Sequence, residues 1–337
     1  MSFELYGFKH NPFPEEDAER IHEGAIILAN INGLKNIVDN ILTEFLREGG
    51  PKFIVITGDR GLGKTGILKY MVHRVKKSGG YGIRLITPPT PIELCSRIIH
   101  ELIIPSKKVT EVQISRDIAS DMKKLAEFMS EKIEEMNSRV VVALDQFEYA
   151  IAQALERDEH SKQPYHLKLL ADFITEFSMN IKDNTLLIIG TVARAWDRLS
   201  EYRPELKSGG PRYFRIELED YKPRTVDDIK AFIKTYLDSA RKEVLTEELK
   251  EKIQEHPLYP FTNEAVEYIA KALLRTPLTP RILISTFKTL LIKAVSQGRI
   301  VDYAFALRES RTIPIDALIE YLSDWYKSLL IIEGGSE

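Results

Sequence analysis

A single cysteine, Cys95, stands in the 337 residues. That count excludes an internal disulfide framework and any cysteine-rich metal site, and leaves Cys95 to be read as a small buried hydrophobe. No run of about 18 apolar residues occurs, so no membrane-spanning helix is expected. The first residues, MSFELYGFKHNPFPEEDAER, lack both a basic leader and an apolar segment, which points to the cytoplasm. A large charge of one sign is missing too. The net charge of −3, with 29% charged residues of both signs, excludes a surface that is basic throughout and leaves room only for a local basic face. No internal repeat or long low-complexity tract is present. What remains, at 44% hydrophobic residues, is enough to bury the cores of two or three domains.

The most informative stretch is Phe53 to Tyr70, FIVITGDRGLGKTGILKY. An apolar, β-branched run reads as a buried parallel strand, and it leads directly into Gly58-Asp59-Arg60-Gly61-Leu62-Gly63-Lys64-Thr65. The octet fits G-x-x-x-x-G-K-[ST]. Glycines allow backbone N–H groups to turn inward around phosphates, and the following helix offers its positive end. Lys64 is then expected to reach the β/γ-phosphates of ATP, with the Thr65 hydroxyl on Mg²⁺.

Further strands are expected at Tyr81–Thr87, Arg139–Leu144, Thr185–Ile189 and Arg215–Leu218, with helices between them. Alternation of this kind implies an α/β fold, a P-loop three-layer sandwich with a mostly parallel sheet. Apolar spacing predicts one helix over Ala25–Glu48, another over Ile92–Ile104 and a third over Ser115–Asn137. The polar run Glu156–Pro164 reads as a solvent-facing loop. Beyond Tyr221 the strand signal stops, and helices are expected at Thr225–Lys242, Thr246–Glu255, Thr262–Arg275, Pro280–Gln297 and Ile315–Leu330. The expected division is an irregular N-terminal arm (1–24), a nucleotide-binding α/β domain (25–220) and an all-helical lid with C-terminal helices (221–337).

Opposite the phosphate loop, the apolar strand ends in Asp145, where a carboxylate for the Mg²⁺ shell is needed. P-loop ATPases that carry a base on this strand place a glutamate next. Here the residue is Gln146, and an amide cannot take the proton of an attacking water; losing such a base costs roughly 10²–10⁴ in rate. Glu148, on the same face if the backbone stays extended, is the substitute candidate. Thr191, after Gly190, is placed to hydrogen-bond phosphate or water. Arg212, with Arg215 behind it, is a candidate finger into a neighbouring subunit's site, and Arg281 of Thr279-Pro280-Arg281 a candidate phosphate contact from the lid.

Together these residues resemble the AAA+ superfamily, and more narrowly the group of archaeal origin-recognition initiators, ExeA-type ATPases and TnsC-like transposition regulators. Gly7-Phe8-Lys9-His10-Asn11-Pro12-Phe13 is similar to the arm of ExeA-like proteins, and Tyr259-Pro260-Phe261-Thr262-Asn263-Glu264-Ala265 with Thr279-Pro280-Arg281 to the group's lid and sensor-2 pattern. The resemblance implies Walker A at Lys64 and Thr65, Walker B at Asp145, sensor 1 at Thr191 and sensor 2 at Arg281. It also implies ATP and Mg²⁺ as cofactors and a homo-oligomer or larger complex, with a protein partner and DNA held by its backbone. Candidate DNA contacts are Arg74, Lys76, Lys77, Arg84 and Lys207. The stretch after the lid is too short for the initiators' winged-helix domain, so sequence-specific reading of DNA is not expected. A signalling ATPase of the STAND type, recruiting proteins without DNA, is the alternative; a small-molecule kinase fits the helical C-terminal region poorly.

Overall fold

The computed structural model describes residues 3–13, 28–107, 112–161, 165–208 and 213–309. The described residues fall into two compact units. A sheet unit comprises 37–60 and 64–219, and a helical unit comprises 3–13, 28–36, 61–63 and 220–309.

In the sheet unit five strands, β1 (Phe53–Thr57), β2 (Tyr81–Ile86), β3 (Val140–Asp145), β4 (Thr185–Thr191) and β5 (Tyr213–Glu217), run all parallel in the order β2-β3-β4-β1-β5. β1, β3 and β4 are buried along their whole length, as sequences with continuous Val/Ile/Leu runs require when helices cover both faces. One face presents Phe53, Val55, Val140, Val142, Leu144, Leu187 and Ile189 to a single apolar core. Its other walls come from helices α3 (Pro91–Ile98), α6 (Met122–Glu134), α7 (Phe147–Ser161), α8 (His166–Asn180) and α9 (Ala193–Ser200). Against the opposite face lies α2 (Lys64–Lys77). A Cβ on Gly190 would stand 2.8 Å from Leu68, and one on Gly82 3.1 Å from Val72, so these two glycines set how closely α2 seats on the sheet. Cys95 is fully buried in the first core and burial pushes its thiol pKa well up, in keeping with an inert packing role.

Three expected boundaries are corrected. Helix α1 spans Leu34–Glu48 and does not begin at Ala25: Asn32 (φ 48°) and Gly33 (φ 80°) adopt left-handed backbone that no helix can continue through. Ile31, which carries the helical spacing, packs instead in the core of the helical unit, beside Ala29. Ser115–Asn137 is two helices, α5 (Arg116–Ala119) and α6, because Asp121 turns its carboxylate onto the Lys123 and Lys124 N–H groups and restarts the chain as an N-cap. Residues 156–161, expected as loop, are the last turns of α7. There the buried Asp158 accepts the His166 and Leu167 N–H groups, capping α8 from another helix. Helix α3 continues through a π-turn at Ile99–Ile103 into α4 (Ile104–Lys107), and α10 (Glu205–Ser208) precedes β5.

The helical unit contains α11 (Val226–Ala240), α12 (Glu247–Glu255), α13 (Asn263–Leu273), α14 (Pro280–Gln297) and α15 (Tyr303–Glu309). Thr225, Thr246, Thr262 and Thr279 each cap the helix that follows, Thr225 in a full capping box with Asp228. The stretch expected as helix at 315–330 lies outside the described residues.

The N-terminal arm is part of this unit's core. Phe8 bridges Arg241, Lys9 N–H donates to Ala240 O at 2.8 Å and Lys242 N–H to Gly7 O at 2.9 Å. Gly7, at φ 76°, is where a Cβ would meet Leu245 at 2.8 Å. The Asn11 side chain accepts the Phe13 N–H and turns Phe13 into an aromatic cluster with Tyr236, Phe261 and Phe287. Over Phe8 lies the Arg241 guanidinium, 4.3 Å from the ring centroid, donating to the carbonyls of Tyr6 and Tyr259; burial lowers its pKa to about 10. Phe8 and Phe13 are both fully buried. Phe8→Ala is therefore expected to destabilise the unit by about 3–5 kcal/mol, read by urea unfolding; a loss below about 1 kcal/mol would mean that the arm is not part of the core.

Candidate nucleotide site

The site forms at the C-terminal edge of the sheet, where β1 hands over to α2. Gly61 and Gly63 take φ values of 81° and 97°, which admit only glycine cheaply, and a Cβ on Gly63 would meet nothing within 4 Å, so the loop wall there is open. Gly61 has a second constraint: Arg281 N–H donates to its carbonyl at 3.2 Å, and a Cβ would lie 3.1 Å from Thr279 Oγ1.

Lys64 is 8% exposed, and its ammonium donates to the carbonyls of Gly58 (2.5 Å) and Asp59 (3.1 Å). Burial pulls its pKa down, and the carboxylates of Glu148, Asp145 and Asp59 oppose that pull. Thr65 follows in the first turn of α2, and Leu62 is buried. Arg60 lies 5.6 Å from the Tyr149 ring centroid.

Asp145 ends β3 and is 1% exposed. Its Oδ1 accepts the Gln146 N–H at 3.0 Å, its Oδ2 accepts Arg84 Nη1 at 2.7 Å, and its backbone carbonyl accepts both the N–H and the hydroxyl of Thr87. Gln146 has φ 53°, a left-handed conformation that costs a residue with a Cβ on the order of 1 kcal/mol. The chain is thus not extended from Gln146 to Glu148, and the alternation that was to bring Glu148 onto the face of Gln146 does not exist. Glu148 reaches the site another way, from the first turn of α7. Its Oε2 is buried without a hydrogen bond among the described residues; burial raises its pKa, with Lys64 opposing. Thr191, fully buried at the end of β4 in register with Thr57, has an equally unpartnered hydroxyl.

The Glu148 oxygen, in the field of the buried Lys64, and the Thr191 hydroxyl at the end of β4 are buried without partners among the described residues, and since such atoms are otherwise costly they fit a polar, anionic ligand with its cation. The chain therefore suits ATP with Mg²⁺. Among the described residues no cluster of three His, Cys, Asp or Glu side chains could hold a metal without such a ligand. Arg281 stands at the second position of α14 in the helical unit, exposed. Arg212 lies outside the described residues; Arg215, on β5, pairs with Glu217 at 3.1 Å. Arg84, expected as a surface cation for DNA, is instead committed to Asp145. Its charge is the only one in YGIRLI, but the pairing of that strand with the Asp145 strand is set by the sheet order. Of the other basic candidates, Lys76, Lys77 and Lys207 are exposed, while Arg74 lies 3.9 Å from Asp39.

An all-parallel sheet in this order, with the phosphate loop between its β1 strand and α2, is the arrangement of the P-loop fold. Residues 47–199 match the family model described as an AAA domain. No curated protein matches the sequence. In fold it is similar to the Aeropyrum pernix ORC2 protein in its ADP form, at 15% identity and a TM-score of 0.54, covering 90% of this chain and 72% of that one. The same protein in ADPNP–ADP complexes gives 16% identity and 0.53, over 89% and 71%. The Aeropyrum pernix ORC1 protein in complex with DNA gives 15% and 0.50, over 86% and 66%. At these identities the common property is the fold. No helix among the described residues is long and apolar enough to cross a membrane.

Proposed function

We propose that the chain is an ATP-bound switch that assembles with itself or with protein partners on DNA, and that it hydrolyses ATP slowly or only when a partner completes its site. The observation that carries this reading is the pairing of a well-formed phosphate loop around Lys64 with an amide, Gln146, where the base is needed. Residues Gly58 to Gly63 and Lys64 would bind the phosphates, and Thr65 with Asp145 would hold Mg²⁺. The metal, when bound, offsets negative charge that develops on phosphate oxygens. Glu148 is the remaining acceptor for the proton of a water, and Thr191 orients that water by its free hydroxyl. Arg281, by its place in the Thr-Pro-Arg motif, reads the phosphate state. Arg212 would act on a neighbouring subunit, an effect worth roughly 10³–10⁵ in rate and a reason for turnover to depend on assembly.

DNA enters through the exposed cations Lys76, Lys77 and Lys207, and the fold likeness to a protein solved with DNA supports it. Backbone contacts of this type predict a steep salt dependence. Three phosphate contacts would weaken duplex binding on the order of 40-fold between about 50 and 200 mM salt in gel shifts. Retained ATP binding with no shift of duplex at low salt would reject the DNA role and favour a switch that recruits proteins alone.

A further inference from the structure

The Arg84–Asp145 pair has a property that neither the phosphate-loop motif nor the fold requires. Asp145 is the carboxylate that the ATP reading gives to Mg²⁺, yet both of its oxygens are already engaged: Oδ1 by Gln146 N–H, Oδ2 by Arg84. The strand register explains how. Arg84 pairs with Ala143 and Ile86 with Asp145, so Arg84 and Asp145 stand on one face of the sheet, one diagonal step apart, within reach of a long side chain. The pair is enclosed, with the arginine side chain 20% and the aspartate 1% exposed. The Asp145 main chain is fixed as well, by two bonds from Thr87 at the strand end.

We infer that Arg84 is the resident counter-ion of Asp145 and a positioning residue of the metal site, competing with a divalent cation for that carboxylate. This rests on the reading of the loop as an ATP site. A guanidinium is permanently charged, and a second positive charge brought to the same oxygen meets repulsion that a buried setting screens poorly. Nucleotide is then held chiefly by the loop and Lys64, and Mg²⁺ adds little. Loss of Arg84 frees Oδ2 for the metal.

The test is equilibrium binding of a fluorescent ATP analogue to the full chain, in EDTA and in millimolar Mg²⁺, for the wild type, Arg84→Gln and Arg84→Lys. The wild type is expected to change affinity less than about threefold between the two buffers, and Arg84→Gln to gain at least about tenfold from Mg²⁺. Arg84→Lys, which keeps a cation, should return toward the wild-type ratio. A purely structural Arg84 would lower the melting temperature of both variants and leave the Mg²⁺ ratio unchanged, which overturns the inference. A wild type whose affinity falls more than about tenfold in EDTA overturns it without any variant, so the test survives if Arg84→Gln fails to fold. Wild type that binds no nucleotide in either buffer refutes the ATP reading itself, whereas binding with an equal ratio in wild type and Arg84→Gln refutes only the competition.

Discussion

Glu148→Gln is expected to lower single-turnover ATP hydrolysis on the order of 10²-fold while leaving ATP affinity within about threefold. The substitution keeps the shape of the side chain and removes its ability to take a proton. The reasons for choosing this residue are local. Its Oε2 is buried without a partner, and burial raises its pKa while Lys64 and Arg60 oppose the rise, so the carboxyl lies within the field of the phosphate loop. Gln146, the residue at the usual position of the base, is an amide on left-handed backbone whose N–H is turned onto Asp145. If Glu148→Gln hydrolyses ATP at the wild-type rate, Glu148 is not the base, and its unpartnered oxygen needs another explanation.

Lys64→Ala is expected to weaken ATP binding about 30-fold to several thousand-fold, the range for truncating one partner of a buried charge pair. The lysine is pre-placed: its ammonium is anchored on the Gly58 and Asp59 carbonyls, and three nearby carboxylates favour its charged form against burial. Phosphate contacts therefore replace modest interactions without the cost of ordering a flexible side chain. The isolated variant should keep its fold, because the loop backbone is held by glycines at positive φ and by the strand and helix on either side. A variant that binds ATP as tightly as wild type would remove the basis for assigning phosphate to this loop.

Much of this was written in residue types that act through backbone geometry. The glycines and lysine of 58–65, the β-branched strands and the four threonine caps announce themselves because each satisfies a local requirement, whether φ above zero, burial on two faces or an orphan N–H. The features that escaped are those settled by distant partners. Ile31 carries helical spacing yet packs in the helical unit, ahead of a left-handed turn at Asn32 and Gly33. Asp158 reads as a loop residue by composition, and it is buried because it caps a different helix. Strand alternation points to Glu148, but the backbone between it and Gln146 is not extended, and the residue reaches the site from the first turn of α7. Arg84 was read as one surface cation among several; only the order of the strands shows that its neighbour is Asp145.

The central claim is that ATP is held and not promptly spent. The most direct test measures, on one preparation of the wild-type chain, equilibrium ATP binding and steady-state turnover in the absence of DNA and partners. Enzymes commonly turn over at about 1–10³ s⁻¹, and Glu148, displaced from the usual position of the base, recovers only part of the roughly 10²–10⁴ that a well-placed base supplies. Binding is expected to be micromolar or tighter, together with turnover below about 0.1 s⁻¹. Turnover of about 10 s⁻¹ or more by the isolated chain would contradict it.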